Sequence, residues 1–171
     1  MKNNLGYACI NMTLSEQPKS KRITTNRSMI KRTFKARGLP YASELALQNV
    51  LDLEKIIQWN EDNDVKFYRM SSDVFPWASE YQLEDLPDFK AIAASLQRSG
   101  DLARKYGQRI TTHPGPFNKL TSPREQVVLN TITDLENHGR LFDLMGLPRT
   151  PYAKINIHVG AHYNEKAMAI G

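Results

Sequence analysis

His113 and His158 are the residues of this sequence best placed to do chemistry. Each ends a stretch that reads as a β-strand, RITTH and YAKINIHV. Each is followed at once by a glycine-containing turn, His113-Pro114-Gly115 and His158-Val159-Gly160. Neighbouring parallel strands lie about 4.8 Å apart, so imidazoles at the same end of two strands can converge on one metal ion. The competing reading is that each histidine only hydrogen-bonds a loop backbone; their corresponding positions favour the metal. Two ligands fall short of a catalytic site, which takes a further donor and an open position. Hydrolytic di-metal sites also want bridging carboxylates, and no acid at the strand ends fits that part. His138 stands mid-helix beside Gly139 and reads as structural or exposed.

Aromatic and basic residues surround these positions. Phe75 and Trp77 follow the second strand, and Phe117 follows the third between Pro116 and Asn118. Aromatics beside cations suit base stacking or wedging into a duplex. Loop packing is the better reading for Phe75 and Trp77, whereas Phe117, directly after the histidine turn, is the candidate for touching substrate. Between Lys19 and Arg37 lie eight basic residues (Lys19, Lys21, Arg22, Arg27, Lys31, Arg32, Lys35 and Arg37) and no acid. That window's +8 against a total of +5 leaves the remainder at −3. A basic stretch on a mildly acidic body suits a polyanion partner, and equally a solvated surface. Cys9, inside the first strand, reads as a small buried hydrophobe.

The elements that must hold these residues alternate. Strands are expected at 4–10, 65–70, 109–113 and 152–159. A long polar loop covers 12–43, with a short helix over 26–36. Helices follow at Ser43 to Trp59 (Leu47, Val50, Leu51, Ile57 on one face, Ser43 as cap) and at Asp88 to Tyr106 (Ile92, Leu96, Leu102), stopped by Gly107. A longer helix, capped by Ser122 with Pro123 first, carries Val127, Val128, Ile132, Leu135 and Leu141 and ends near Gly146. NEKAMAI begins another. Alternating strands and helices imply parallel βαβ units with right-handed crossovers. An open doubly wound sheet is the rival, but no glycine-rich phosphate fingerprint follows the first strand. Asn11, Arg69, His113 and His158 instead recur at the C-terminal strand ends, the active face of a (β/α)8 TIM-type barrel. The expected fold class is therefore α/β, the first half of such a barrel, with residues 1–171 the N-terminal part of a single domain truncated at its C-terminus. A whole barrel takes about 250 residues.

The single cysteine excludes a disulfide framework. The N-terminus has no apolar signal core, and no stretch approaches the roughly 18 apolar residues of a membrane span. A soluble, cytoplasmic protein with no membrane partner is expected.

Several blocks carry a family resemblance: LGYACINMTLS, TTNRSMIKRTF, ELALQNVLDLEKIIQWN, FYRMSSDVFPWAS, RITTHPGPFN, SPREQVVLNTITDLENHGRLFDLMG and INIHVGAHY. In this order, over nearly the whole chain, they resemble the N-terminal half of UV damage endonucleases. That resemblance implies a (β/α)8 barrel related to apurinic-site endonucleases. It implies a metal-dependent DNA endonuclease that nicks duplex DNA immediately 5′ of UV photoproducts to begin excision repair. It also implies divalent cofactors, Mn2+ first with Mg2+ or Zn2+ as alternatives, and a monomer at full length. By the same resemblance His113 and His158 are metal ligands, and Tyr7 and Asn11 line the active site near the scissile phosphate. Pro116 and Phe117 fall where many members of that family probe the damaged site, and Asn118, Lys31, Arg32, Lys35 and Arg69 are the further expected DNA contacts. The chain departs from the family pattern in placing Pro116 where many members have glutamine, Glu80 where many have histidine, and GAHYN after the fourth-strand histidine. The family's later ligands fall beyond Gly171, so this piece alone is expected to be inactive. The alternatives are a non-catalytic DNA-binding fragment and another barrel enzyme, an apurinic-site endonuclease or a sugar isomerase.

Overall fold

The computed structural model describes residues 5–157. His158, the end of the fourth expected strand and the NEKAMAI helix lie outside the described residues. Three short strands, β1 (Gly6–Ala8), β2 (Phe67–Met70) and β3 (Arg109–Thr112), form a parallel sheet in sequence order. The register aligns Tyr7, Tyr68 and Ile110 across it, with Ala8, Arg69 and Thr111 in the next row. Successive side chains alternate between the faces. Tyr68, Met70 and Ile110 enter the core beneath the helices, while the opposite face carries the small residues Gly6 and Ala8 and leaves them exposed. Among the described residues of the fourth expected strand, Ile155 bridges to Thr112, in parallel. The Tyr152 carbonyl accepts from the Arg109 guanidinium at 2.8 Å, and the Lys154 carbonyl accepts from the Thr112 amide at 3.0 Å.

The helices pack on the sheet's core side. A short α1 (Met12–Ser15), unanticipated, is capped by Asn11, whose side chain accepts from the Leu14 amide. The long α2 (Lys31–Asp62) is broken at Gly38, whose φ of 64° and ψ of −158° are easy only for glycine. The break separates a basic first segment from an apolar second one, so the two helices expected here meet end to end. Ser43 is not the cap. It lies buried within α2, where its hydroxyl donates to the Asp88 carboxylate at 2.8 Å and accepts from the Asp88 amide at 2.9 Å, which fastens α2 to the start of the next helix. That helix, α3 (Phe89–Lys105), buries Ile92 and Leu96 as expected and gives way to Gly107 at φ 62°.

The last helix, α4 (Glu125–Leu144), starts after Ser122 and Pro123; the Ser122 hydroxyl accepts from the Arg124 amide in the preceding turn. The Arg104 guanidinium donates to the Met145 and Gly146 carbonyls at 2.7 Å each, which satisfies the carbonyl end of α4. Gly100 lets α3 and α4 cross closely, since a Cβ there would stand 1.7 Å from the Met145 carbonyl. The expected face of α4 is only partly the buried one. Leu141 is buried, but Ile132 is exposed, Val127, Val128 and Leu135 are half-buried, and the helix instead buries Thr131, Asp134, Asn137 and His138. A buried polar stripe is stable only when its groups find partners. These partners are the loops at the strand ends.

Candidate active site at the strand ends

His113 directly follows β3. Its Nδ1 lies 3.0 Å from the Pro114 carbonyl oxygen. A carbonyl can only accept, so Nδ1 carries the proton and Nε2 the lone pair. Nε2 lies 3.4 Å from the sulfur of Cys9. Cys9 is thus not a buried filler inside the first strand. It follows β1 in a left-handed turn at φ 63°, held by its amide to the Arg69 carbonyl at 2.8 Å and by its carbonyl to the Tyr68 hydroxyl at 2.9 Å. The turn points a half-buried thiol at the histidine, and burial pushes that thiol's pKa up.

Tyr7 and Asn11 are brought together. The Tyr7 hydroxyl donates to Asn60 of α2 at 2.7 Å and accepts from the Asn11 amide at 3.0 Å, while Asn11, itself buried, caps α1. Tyr7 also packs against Tyr68 with ring centroids 5.0 Å apart. Its pKa is raised by burial, so the phenol stays protonated. Arg69 occupies the opposite face of β2, half-buried, with its Nε buried and lacking a hydrogen-bond partner among the described residues.

A groove of about 450 Å³ runs over the strand ends, bounded by Met29 and Lys31, the loop after β2, the loop after β3 and the first half of α4. The two loops differ. After β2, Phe75 and Tyr81 are buried, and Trp77 stacks on Phe34 at 5.7 Å and donates its indole N–H to the Met29 carbonyl at 3.0 Å. Both aromatics singled out there are packing residues, as expected. After β3, Phe117 is 88% exposed, the most exposed large apolar side chain among the described residues. Asn118 beside it donates to Asp134 at 2.6 Å, and Pro116 is exposed. Glu80 is exposed and lines the groove.

The basic segment divides. Arg27 pairs with the buried Asp52 at 2.7 Å and donates to the Thr24 and Arg22 carbonyls. Arg37 lies 3.3 Å over the Tyr41 ring. Lys31, Arg32 and Lys35 are exposed on the first segment of α2, and Lys31 reaches the groove 5.7 Å from the Trp77 ring centroid. The sequence window lacked an acid, but folding supplies Asp52 from α2.

Reading the sequence missed the buried polar residues that fasten these loops. Asn49 of α2 donates to the Arg27, Asp73 and Val74 carbonyls and accepts from the Arg27 amide. Asn137 of α4 donates to the Ala78 and Tyr81 carbonyls at 2.7 Å each and accepts from the Leu83 amide. His138, read as structural or exposed, is buried, with Nδ1 3.3 Å from the Thr112 hydroxyl and Nε2 3.7 Å from Asp134. Burial, helped by His113, pulls its pKa down to about 4, and burial, opposed by the Asn118 hydrogen bond, pushes Asp134 up to about 6. The available signal was asparagine, aspartate and histidine at helical spacing beside an apolar stripe, types that weaken an isolated helix and so need another reason to be there.

Among the described residues no group of three or more histidine, cysteine or carboxylate side chains could hold a metal ion. His113 fits as one ligand, because the Pro114 carbonyl beside Nδ1 favours the tautomer that presents Nε2. No helix among the described residues is long and apolar enough to cross a membrane.

Comparison with known proteins places the chain beside one family. The family model described as UV-endonuclease UvdE matches residues 3–171. A UV-damage endonuclease of Schizosaccharomyces pombe is 36% identical over 96% of this chain and 27% of its own length. A putative UV-damage endonuclease of Acanthamoeba polyphaga mimivirus is 34% identical over 97% of this chain and 49% of its own. The crystal structure of SacUVDE superposes with a TM-score of 0.77 at 28% identity, over 96% of this chain and 52% of that one. The chain therefore spans about half, or less, of the length of these relatives.

Proposed function

This chain belongs to the UV-endonuclease UvdE family, and from that premise we propose that it forms the N-terminal part of a metal-dependent DNA endonuclease. The nuclease hydrolyses one phosphodiester bond immediately 5′ of a UV photoproduct in duplex DNA and so opens excision repair. The observation that carries this reading is a juxtaposition. His113 directly follows β3 and opens the loop that holds Phe117 in solvent, and Lys31 lines the groove that Phe117 borders. The sheet is the beginning of a (β/α)8 barrel. In support, the strands follow sequence order without reversal, and α2, α3 and α4 share one core on one side of them. A doubly wound fold places helices on both faces.

His113 and His158 would hold a divalent cation, Mn2+ before Mg2+ or Zn2+. Such a cation supplies positive charge and Lewis acidity at the phosphate. The protein's own groups orient the DNA. Lys31, Arg32 and Lys35 contact backbone phosphates, which sets register without reading the lesion. Arg69 offers a guanidinium toward the same strand ends. Phe117 stacks on a base displaced at the lesion, flanked by Pro116 and Asn118. Pro116 has no side-chain donor, so hydrogen bonding to an orphaned base falls to other groups. Tyr7 and Asn11 line the approach to the scissile phosphate, with Asn60 fixing the phenol. The protein acts as a monomer in a reducing, cytoplasmic compartment.

The test is incision of an end-labelled duplex that bears one defined photoproduct, using the natural gene product that carries these residues. Metal-dependent cutting at the first bond 5′ of the lesion is expected, and both its rate and the bound metal should fall sharply in His113→Ala and His158→Ala. Normal metal content and rate in both variants would remove the ligand assignment.

A further inference from the structure

The loop after β3 has no regular structure between Thr112 and Arg124 apart from turns, yet it presents Phe117 to solvent. Two residues of α4 reach it, and a third reaches the end of β3 from which it starts. Thr131 accepts from the Lys119 amide at 2.9 Å while donating to the Val127 carbonyl. Asp134 accepts from the Asn118 side chain at 2.6 Å, and His138 meets the Thr112 hydroxyl at 3.3 Å. Positions 131, 134 and 138 form one stripe along the helix, because residues three and four apart share a face. The stripe ascends as the loop descends, so helix and loop are laced in opposite directions. Thr112 is itself fixed on its other side, its amide to Lys154 and its carbonyl from Asn156, both at 3.0 Å.

We propose that Asp134, supported by His138 and Thr131, is a positioning residue for lesion recognition: it brackets the β3 loop so that Phe117 stands clear of the surface. This rests on the reading of Phe117 as a DNA contact given above. Asp134 is buried and borders the groove, so it acts through Asn118 and not by meeting the phosphate backbone. An apolar core of the same volume would satisfy packing. A carboxylate here offers what packing cannot, a directional acceptor for the residue next to Phe117. The separation of His138 Nε2 from Asp134, 3.7 Å, is too long for a hydrogen bond. His138 therefore serves the lower rung at Thr112 and Asp134 the upper one at Asn118.

The experiment compares wild type, Asp134→Leu and Asp134→Asn by amide hydrogen exchange and by binding to matched irradiated and intact duplexes. In Asp134→Leu, exchange at Asn118 and Lys119 should rise about tenfold or more while the amides of α4 keep their protection. Asp134→Asn, which retains an acceptor, should restore slow exchange. The ratio of damaged to intact affinity should fall in Asp134→Leu but not fall further when Phe117→Ala is added, since a positioning residue loses its effect with the group it positions. Unchanged loop exchange, equal loosening of α4, or an additive loss in the double variant would each overturn the proposal. If wild type shows no preference for damaged duplex, the DNA reading fails, while the exchange data still decide whether Asp134 brackets the loop.

Discussion

The loops after β2 and β3 border the same groove and both carry aromatic residues, yet they spend them differently. The β2 loop folds Phe75 and Tyr81 inward, stacks Trp77 on Phe34 and winds through three short 3-10 turns. The β3 loop contributes no aromatic to the core and holds Phe117 outward on polar tethers. An aromatic in a rim loop is therefore not a substrate contact by virtue of its place in the sequence. What separates the two is whether the neighbouring residues give the ring a wall to lie against.

That contrast can be broken most directly by stability. Phe75→Ala empties a core position and should cost about 3–5 kcal/mol, whereas Phe117→Ala should stay within about 0.5 kcal/mol of wild type. Urea unfolding of the two variants measures both. Comparable losses would mean that Phe117 packs in solution and that the two loops are alike.

The cations divide in the same way. Neutralising Lys31, Arg32 and Lys35 together should flatten the slope of log K against log salt for duplex binding by roughly two to three units, at about 0.9 per lost phosphate contact. Arg27→Ala should leave that slope unchanged and instead destabilise the fold, since it strips a partner from the buried Asp52 carboxylate. Salt titrations of the two variants separate the roles, and a slope change in Arg27→Ala alone would reverse the assignment.

A smaller effect lies in the pH dependence of stability. His138 is pulled down to about 4, so its contribution is present above its unfolded value near 6.5 and is lost as pH falls toward 4. Asp134 is pushed up to about 6, so its contribution is present below about 3.8 and is lost as pH rises through 6. Between pH 4 and 6 the two slopes oppose each other. His138→Gln should therefore leave a protein that grows more stable as pH falls across this window, and Asp134→Asn one that grows less stable. Thermal melts at several pH values read the sign, and slopes of the same sign in both variants would contradict these environments.

What the sequence disclosed follows from where packing is apolar. The strands at β2 and β3 and the buried face of α3 were legible, because Tyr68, Met70, Ile110, Ile92 and Leu96 follow the periods of strand and helix. His113 at a strand end, Phe117 as the presented aromatic and Phe75 and Trp77 as packing residues were legible by position. The face of α4 was not, because its buried stripe is held by hydrogen bonds to loops far away in sequence, which no local period records. Cys9 was misread for a similar reason. Its left-handed turn is imposed by the Tyr68 hydroxyl and the Arg69 carbonyl, neither of which is its neighbour in the chain. Ser43 carries the same lesson, since its partner is Asp88 and not its own helix end.

The central claim is that the β3 loop faces the lesion, and the most direct measurement is the affinity of wild type and Phe117→Ala for matched damaged and intact duplexes at one salt concentration. Stacking is worth about 1–3 kcal/mol per base, so the damaged-to-intact ratio should fall by roughly tenfold while affinity for intact duplex barely moves. Equal losses on both duplexes, or no loss on either, would contradict it and return Phe117 to the surface as an exposed ring without a role.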